Sequence, residues 1–383
     1  MSKKLPTIWA ADPHTIAKIT ILRYYLDAWF RILGREMKNQ TILYVDGFAG
    51  PGSYTNHPEG SPLAALRAAA TTIAELSGNF VAKEIHCAFI EKDPARYEVL
   101  QQAIAGYAGS PRLGMTHFGC EFTAGIEQLR SKVSGPFHGK GPLFVFADPF
   151  GGTRIPFRTL ARCTEGSASE LLINLDADGI GRIFQANNPK REEQLTELFG
   201  NESWRAVLQP GDSLSRLSLA ILQLYKQRLR TLPGVEFIWS FAMRGIHDHI
   251  NYHLVFASKH PLGLVKMKEA MKSIDQTGSF SFSDAHVDQH SLFTEDNDEH
   301  YADLMWQAFK DQAVSYRVAE LWALNESPFV NPKSMLRVLE GQDRLVPDVV
   351  AGAGRKKGDF PEEKIAALRF GQFGSSMKQP ESF

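Results

Sequence analysis

Between residues 41 and 176 the chain alternates short apolar runs with helical patterns, and almost every run ends in an acid or a glycine. The runs are TILYVD (41–46), IHCAFIE (85–91), MTHFG (115–119), PLFVFAD (142–148) and ELLINLD (170–176). Helical patterns fill the gaps at 62–76, 95–104, 124–132 and 157–164. Strand–helix alternation implies crossover connections, hence a parallel sheet covered by helices on both faces. The runs contain few polar residues, as strands buried on both faces require.

The rest of the chain is arranged around that core. Ile19, Leu22, Leu26, Trp29 and Leu33 recur at spacings of three and four, which predicts a helix over 15–34 packed on the sheet. Helical segments at 189–199 and 213–230 precede two strand-like runs, 236–243 and 251–257, expected to close the sheet as a late antiparallel pair. Polar residues 274–300 read as a linker, and 301–350 as a small helical unit with a helix-turn-helix or winged character. Its last helix is signalled by Asn331 as cap and Pro332 in the first turn. The tail from 351 to 383 is expected to be flexible. The expected domains are therefore 1–273, the linker 274–300, the unit 301–350 and the tail.

A chain of 383 residues is longer than one core usually covers, which agrees with two domains. With 42 Lys and Arg against 43 Asp and Glu, the net charge of −1 excludes a uniformly basic nucleic-acid coat but not a local basic surface. Cys87, Cys120 and Cys163 form no CxxC pair, so zinc ribbons, iron–sulfur clusters and a disulfide scaffold are poorly supported. No apolar leader follows the N-terminal Met-Ser-Lys-Lys-Leu-Pro and no 18-residue apolar stretch occurs, so the expectation is a cytoplasmic protein without a membrane partner.

The strand ends carry the chemistry. In an open α/β sheet, ligands bind beyond the carboxyl ends of the strands, where the strand order reverses. The first strand ends in Asp46-Gly47-Phe48-Ala49-Gly50-Pro51-Gly52, an acid followed by glycines that let backbone N–H groups approach a ligand. Glu91 ends the second strand, where an acid accepts hydrogen bonds from ribose hydroxyls. Cys120 and Glu121 follow the third strand, where a carboxylate and a backbone amide are expected either to read an adenine edge or to sit in a solvated loop. Asp148-Pro149-Phe150 follows the fourth and presents a carboxylate, backbone carbonyls and a flat ring at one point. No third glycine completes a dinucleotide fingerprint and no Walker lysine is present, so neither NAD nor a P-loop nucleotide fits. S-adenosylmethionine has no diphosphate: its cationic centre suits Asp46, and its carboxylate suits a helix N-terminus capped by Ser61 ahead of Pro62. His247, His249 and His253 sit at or near a strand and are expected to face solvent or a substrate cleft rather than a metal. Asn174, Asp176 and Asp178 cluster after the fifth strand, as substrate-side groups or as a solvated loop.

Taken together, YVDGFAGPG, GSPLAAL, FIEKD, FADPFGG, LLINLD and YHLVFASKHPLGLVKMKEAM resemble the three-Cys-motif partner protein family over roughly residues 15 to 345. That resemblance implies a Rossmann-like class I methyltransferase sheet, S-adenosylmethionine as cofactor, and a partner protein that carries the cysteine motif. Asp148-Pro149-Phe150 also resembles the Asp/Asn-Pro-Pro-Tyr/Phe motif of methyltransferases that modify exocyclic base amines, in the single-proline form of tRNA guanine-N2 enzymes. By that resemblance Asp148 and the Pro149 carbonyl orient an amine of tRNA or DNA while Phe150 stacks on the base. A protein or small-molecule acceptor, and a binding module without turnover, are the alternatives.

Overall fold

The structure is a computed structural model in which residues 6–149, 155–186, 189–245, 250–275, 281–283 and 298–373 are described. The chain divides into two compact units, Met1–Ser291 and Leu292–Phe383.

Among the described residues of the first unit, eight strands form one sheet. They are β1 (Thr41–Asp46), β2 (Glu84–Ile90), β3 (Leu113–Phe118), β4 (Leu143–Ala147), β5 (Ser169–Leu175), β6 (Phe237–Arg244), β7 (Ile250–Ser258) and β8 (Ser281–Ser283), in the spatial order β3-β2-β1-β4-β5-β7-β6-β8. Only β7 runs against the rest: it is antiparallel to both β5 and β6, whereas β8 pairs parallel with β6. The fold is thus a mostly parallel, Rossmann-like α/β sheet. The strand order reverses between β1 and β4, the position at whose carboxyl ends open α/β sheets generally bind ligands.

Helices cover both faces. They are α1 (Pro13–Glu36), α2 (Ser61–Leu76), α3 (Pro94–Ile104), α4 (Phe122–Lys132), α5 (Ser134–Phe137), α6 (Phe157–Cys163), α7 (Ala177–Gln185), α8 (Pro189–Phe199), α9 (Trp204–Val207), α10 (Leu214–Arg230) and α11 (Pro261–Lys272). Asp12 caps α1 through the Thr15 N–H, and Pro13 opens its first turn. The buried stripe of α1 lays Tyr25 and Trp29 against Phe144 of β4, and Tyr25 also meets Phe256 of β7. On the opposite face Leu43, Val45, Val145 and Ile173 alternate inward against Ile126, Leu160 and Ile221.

The second unit holds α12 (Asp298–Phe309), β9 (Ala313–Val314), α13 (Tyr316–Glu326), α14 (Lys333–Gly341), β10 (Leu345–Val349) and β11 (Ile365–Phe370). Its three strands form an antiparallel sheet in the order β10-β11-β9. Met305, Met335, Leu336, Leu339, Phe360, Leu368 and Phe370 make its core.

Two expectations change here. The tail is not flexible through residue 370: Ile365, Leu368 and Phe370 of β11 are buried in the core of this unit, so packing rather than the surrounding polar composition decides that segment. The expected linker 274–300 contains β8, and α12 already begins at Asp298.

Candidate functional site at the carboxyl edge of the sheet

Strand register assembles the site from distant parts of the sequence. Asp46 is level with Phe89 of β2 and with Phe146 of β4. Glu91 and Asp148 each lie two residues beyond those partners. Ala147 pairs with Ile173, so Asp148 stands beside Asn174 at the next position along. Ile90 pairs with Phe118, which brings Glu91 level with the turn that contains Cys120 and Glu121.

Asp46 is fully buried, and its Oδ2 has no hydrogen-bond partner among the described residues. Its Oδ1 accepts a 3.3 Å bond from the Phe48 N–H, and Ser61 lies beside it without closing a bond of good geometry. Burial raises its carboxyl to about 7; Ser61 and the Phe48 N–H lower it, and the charges of Asp148 and Glu91 raise it further. A buried acid held this way is a ready partner for a cation.

The turn after Asp46 is shaped by two glycines with different reasons to be glycine. A Cβ on Gly47 would sit 2.5 Å from the Phe122 ring, the ring on which Phe48 stacks at 5.3 Å. Gly50 has φ +62° and no atom within 4 Å of where its Cβ would point, so it borders open space. Ala49 donates its N–H to Ile90 O at 2.9 Å, and Gly52 accepts from the Gly60 N–H at 2.8 Å, which closes the loop.

Glu91 is buried and both its oxygens accept backbone N–H groups, from Gly50 at 2.9 Å and Asp93 at 2.7 Å. It therefore fixes the glycine turn to the end of β2. Glu121 precedes α4 and pairs with Lys92 at 3.0 Å on the exposed rim, and the Cys120 sulfur accepts from Gln128 at 3.7 Å. Ser61 departs from expectation. Gly60, not Ser61, occupies the N-cap of α2, and a Cβ at position 60 would lie 2.6 Å from the Gly52 carbonyl, so that position requires glycine. Ser61 is thereby moved into the first turn, next to Asp46.

Asp148 is clamped from two sides. Lys18 of α1 reaches its Oδ2 at 2.6 Å, and the Asn174 amide donates to its Oδ1 at 2.6 Å. Lys18 also lies over the Tyr252 ring, 5.1 Å from its centre. With the Asn174 nitrogen committed to Asp148, its Oδ1 is left buried with no partner among the described residues. Pro149 is buried next to this pair. Phe150 lies outside the described residues, as do His247 and His249. The clamp on Asp148 went unseen in the sequence because Lys18 is 130 positions away on what reads as the polar side of a helix.

The other acids after β5 belong to the start of α7 rather than to a solvated loop. Asp176 caps α7 through the Gly179 N–H at 2.7 Å, and Asp178 is buried in its first turn. His253 does not face solvent: it is buried on β7, and burial lowers its pKa to about 4, with Asp178 raising it and Arg244 and Lys226 lowering it. Among the described residues no three His, Cys, Asp or Glu side chains are grouped to hold a metal ion. A cavity of about 200 Å³ lies near the opposite end of β5, among Tyr25, Trp29, Glu170, Leu262 and Lys266. The Glu170 oxygens there already accept from Tyr25 at 2.6 Å and Ser258 at 2.8 Å. The unpartnered acceptors Asp46 Oδ2 and Asn174 Oδ1 are at the carboxyl edge instead.

No protein-family model and no curated protein matches the chain. Among solved structures, an O-methyltransferase from Bacillus cereus in complex with SAH is similar over 62% of this chain and 80% of its own, at 10% identity and a TM-score of 0.34. The O-methyltransferase TomG from Streptomyces achromogenes, involved in tomaymycin synthesis and in complex with SAM, is similar over 65% and 91%, at 13% identity and a TM-score of 0.34. At such scores the assignment of fold rests on the strand order above. Among the described residues no helix is long and apolar enough to cross a membrane.

Proposed function

We propose that this chain is an S-adenosylmethionine-dependent methyltransferase whose acceptor is an amine, most specifically an exocyclic amine of a nucleic-acid base. One observation carries the reading: a buried, unpartnered carboxylate oxygen on Asp46 and a buried, unpartnered amide oxygen on Asn174 share the carboxyl edge of the sheet at the strand-order reversal. The first suits a cation and the second suits an N–H donor.

The residues fit S-adenosylmethionine. Asp46 would hold its cationic end, the Gly47–Gly50 turn leaves room beside open backbone, and Glu91 keeps that turn in place. Ribose contact by Glu91 and an adenine contact by Cys120 and Glu121 remain part of the proposal. When bound, the cofactor supplies a methyl group on a sulfonium already activated for transfer.

The chain then has to position rather than activate. Lys18 and Asn174 fix the Asp148 carboxylate, so its remaining lone pairs and Asn174 Oδ1 can accept hydrogen bonds from one substrate amine. Accepting those bonds turns the nitrogen lone pair away from the protein and toward the methyl donor. Lys18 is engaged as an ion-pair donor to Asp148, which favours an amine over a hydroxyl acceptor that would need a nearby base. The resemblance of Asp148-Pro149-Phe150 to base-amine methyltransferases supports the nucleic-acid class, and the resemblance to three-Cys-motif partner proteins supports a protein companion.

Transfer of labelled methyl from S-adenosylmethionine to separated tRNA, duplex DNA and protein tests the reading. Label on a base nitrogen, lost in Asn174→Ala, is the expected result. Label confined to hydroxyl or carboxyl oxygens would overturn the amine assignment, and label confined to protein would overturn the nucleic-acid class.

A further inference from the structure

We propose that the second unit carries a docking surface for double-stranded nucleic acid, formed by the outer face of α14 and the loop that joins β10 to β11. The surface does not depend on the methyl-transfer reading, because it is built entirely within residues 298–373.

The order of elements is helix, short strand, two helices, then two strands joined by a long loop, with the first strand added beside the last. That order places α14 as the second helix of a helix-turn-helix pair, the helix that enters a major groove in such modules. Met335, Leu336 and Leu339 bury one side of α14 in the core, so Lys333 and Arg337, four residues apart, share its exposed side.

The loop is tied down onto this helix. Arg337 donates through Nε to the Gly358 carbonyl at 2.8 Å, and Glu340 accepts from the Gly358 N–H at 2.7 Å. Glu340 also pairs with Arg355 at 2.5 Å, and the Arg355 guanidinium lies 4.6 Å from the Phe360 ring centre. These bonds fix the exposed Lys356 and Lys357 next to Arg337.

Lysines without an ion pair among the described residues also occur singly elsewhere, as at Lys38, Lys83 and Lys140, whereas here three are gathered on one helix side and one loop. Exposed arginines elsewhere, such as Arg31, Arg158, Arg205 and Arg369, are paired with carboxylates. Lys333, Lys356 and Lys357 make no ion pair among the described residues, although acids outnumber bases in the second unit. The nearest acids in sequence, Asp359, Glu362 and Glu363, follow Gly358 beyond the lysine pair. A helix that carries cations, flanked by a tied-down loop with two more, offers several separate cations to a polyanion rather than one converging anion site.

The test is fluorescence anisotropy of a labelled 20-base-pair DNA duplex titrated with the full chain over a series of salt concentrations. The variants are Lys356→Glu/Lys357→Glu, Lys333→Glu, and Arg158→Glu as a control on α6. Binding should weaken about tenfold or more in the double variant, and the log–log salt slope of a charge-neutral Lys356→Gln/Lys357→Gln variant should fall by about 2. The control should bind like the parent. Because both lysines are exposed, thermal unfolding should be unchanged. Two outcomes overturn the proposal: the parent fails to bind the duplex at 50 mM salt, or the double variant binds as tightly as the parent. Tighter binding to phosphatidylserine vesicles or to polyglutamate than to the duplex would also overturn it.

Discussion

Replacing Asp46 by Asn should make the ligand-free protein more stable and the ligated protein harder to form. The carboxyl at position 46 is raised to about 7 by burial, against roughly 3.9 for an exposed aspartate. Its proton affinity is therefore about a thousandfold higher in the folded chain, and at about 1.4 kcal/mol per tenfold the difference reaches about 4 kcal/mol. The sign follows from the direction of the shift. Between about pH 4 and pH 7 the folded state binds more protons at this site than the unfolded state, so its contribution to stability is fully present below pH 4 and is lost as the pH rises to about 7. Above pH 7 the wild-type chain holds a buried charge. Asn keeps the Oδ1 acceptor used by the Phe48 N–H and carries no charge. Urea denaturation of both proteins between pH 4 and pH 8, followed by intrinsic fluorescence, should show nearly equal stability at the acid end and a variant about 2–4 kcal/mol more stable at pH 8. The comparison isolates Asp46 from other titrating groups. His253, lowered to about 4, acts in the opposite sense, and stability from it rises by about 3 kcal/mol between pH 4 and 6.5. Asp46→Asn should therefore retain a pH dependence of that opposite sign. A variant no more stable than wild type at pH 8 would refute the buried, unpaired carboxylate.

Further predictions concern the neighbours of that carboxylate. Gly50→Ala should cost only about 1 kcal/mol of stability, from its φ of +62°, yet should weaken S-adenosylmethionine binding because the new methyl enters the open space beside the turn. Equal calorimetric affinity in that variant would remove Gly50 from the ligand site. Lys18→Met should leave cofactor affinity within about twofold while turnover falls about tenfold or more, since Asp148 loses its clamp. Steady-state kinetics with a matched titration separates the two effects. At the other end of the sheet, Tyr25→Phe should destabilise the chain by about 1–3 kcal/mol by removing a donor to the buried Glu170, with no change in cofactor affinity; chemical denaturation checks it.

Much of the first unit was legible because its information is local. Buried parallel strands are written as apolar runs, and the acids and glycines that punctuate them mark the carboxyl edge where Asp46, Glu91 and Asp148 are found. What escaped notice depends on distance or on weak propensity. Lys18 meets Asp148 only because α1 crosses the sheet, and no local pattern distinguishes it from a solvated lysine. Helix α7 begins Ala-Asp-Gly-Ile-Gly, poor in helix propensity, and it forms because Asp176 caps it and Ile180 is buried. Asp176 reads as a loop acid when that helix is missed. Strand β11 follows a Gly- and Lys-rich loop, and its buried positions 365, 368 and 370 do not alternate regularly, so only the core of the second unit fixes it as a strand. His253 could not be placed from spacing alone, since a β-strand offers two faces and both β7 faces prove to be covered here.

The most direct test of the central claim is calorimetric titration of S-adenosylmethionine into the full chain at pH 8, with NAD as comparison. One site should be seen for S-adenosylmethionine and none for NAD, and Asp46→Asn should weaken binding by about 1–3 kcal/mol, roughly 5- to 150-fold. No heat from a folded protein, or a variant that binds as tightly as wild type, would contradict the assignment of the Asp46 edge as the cofactor site.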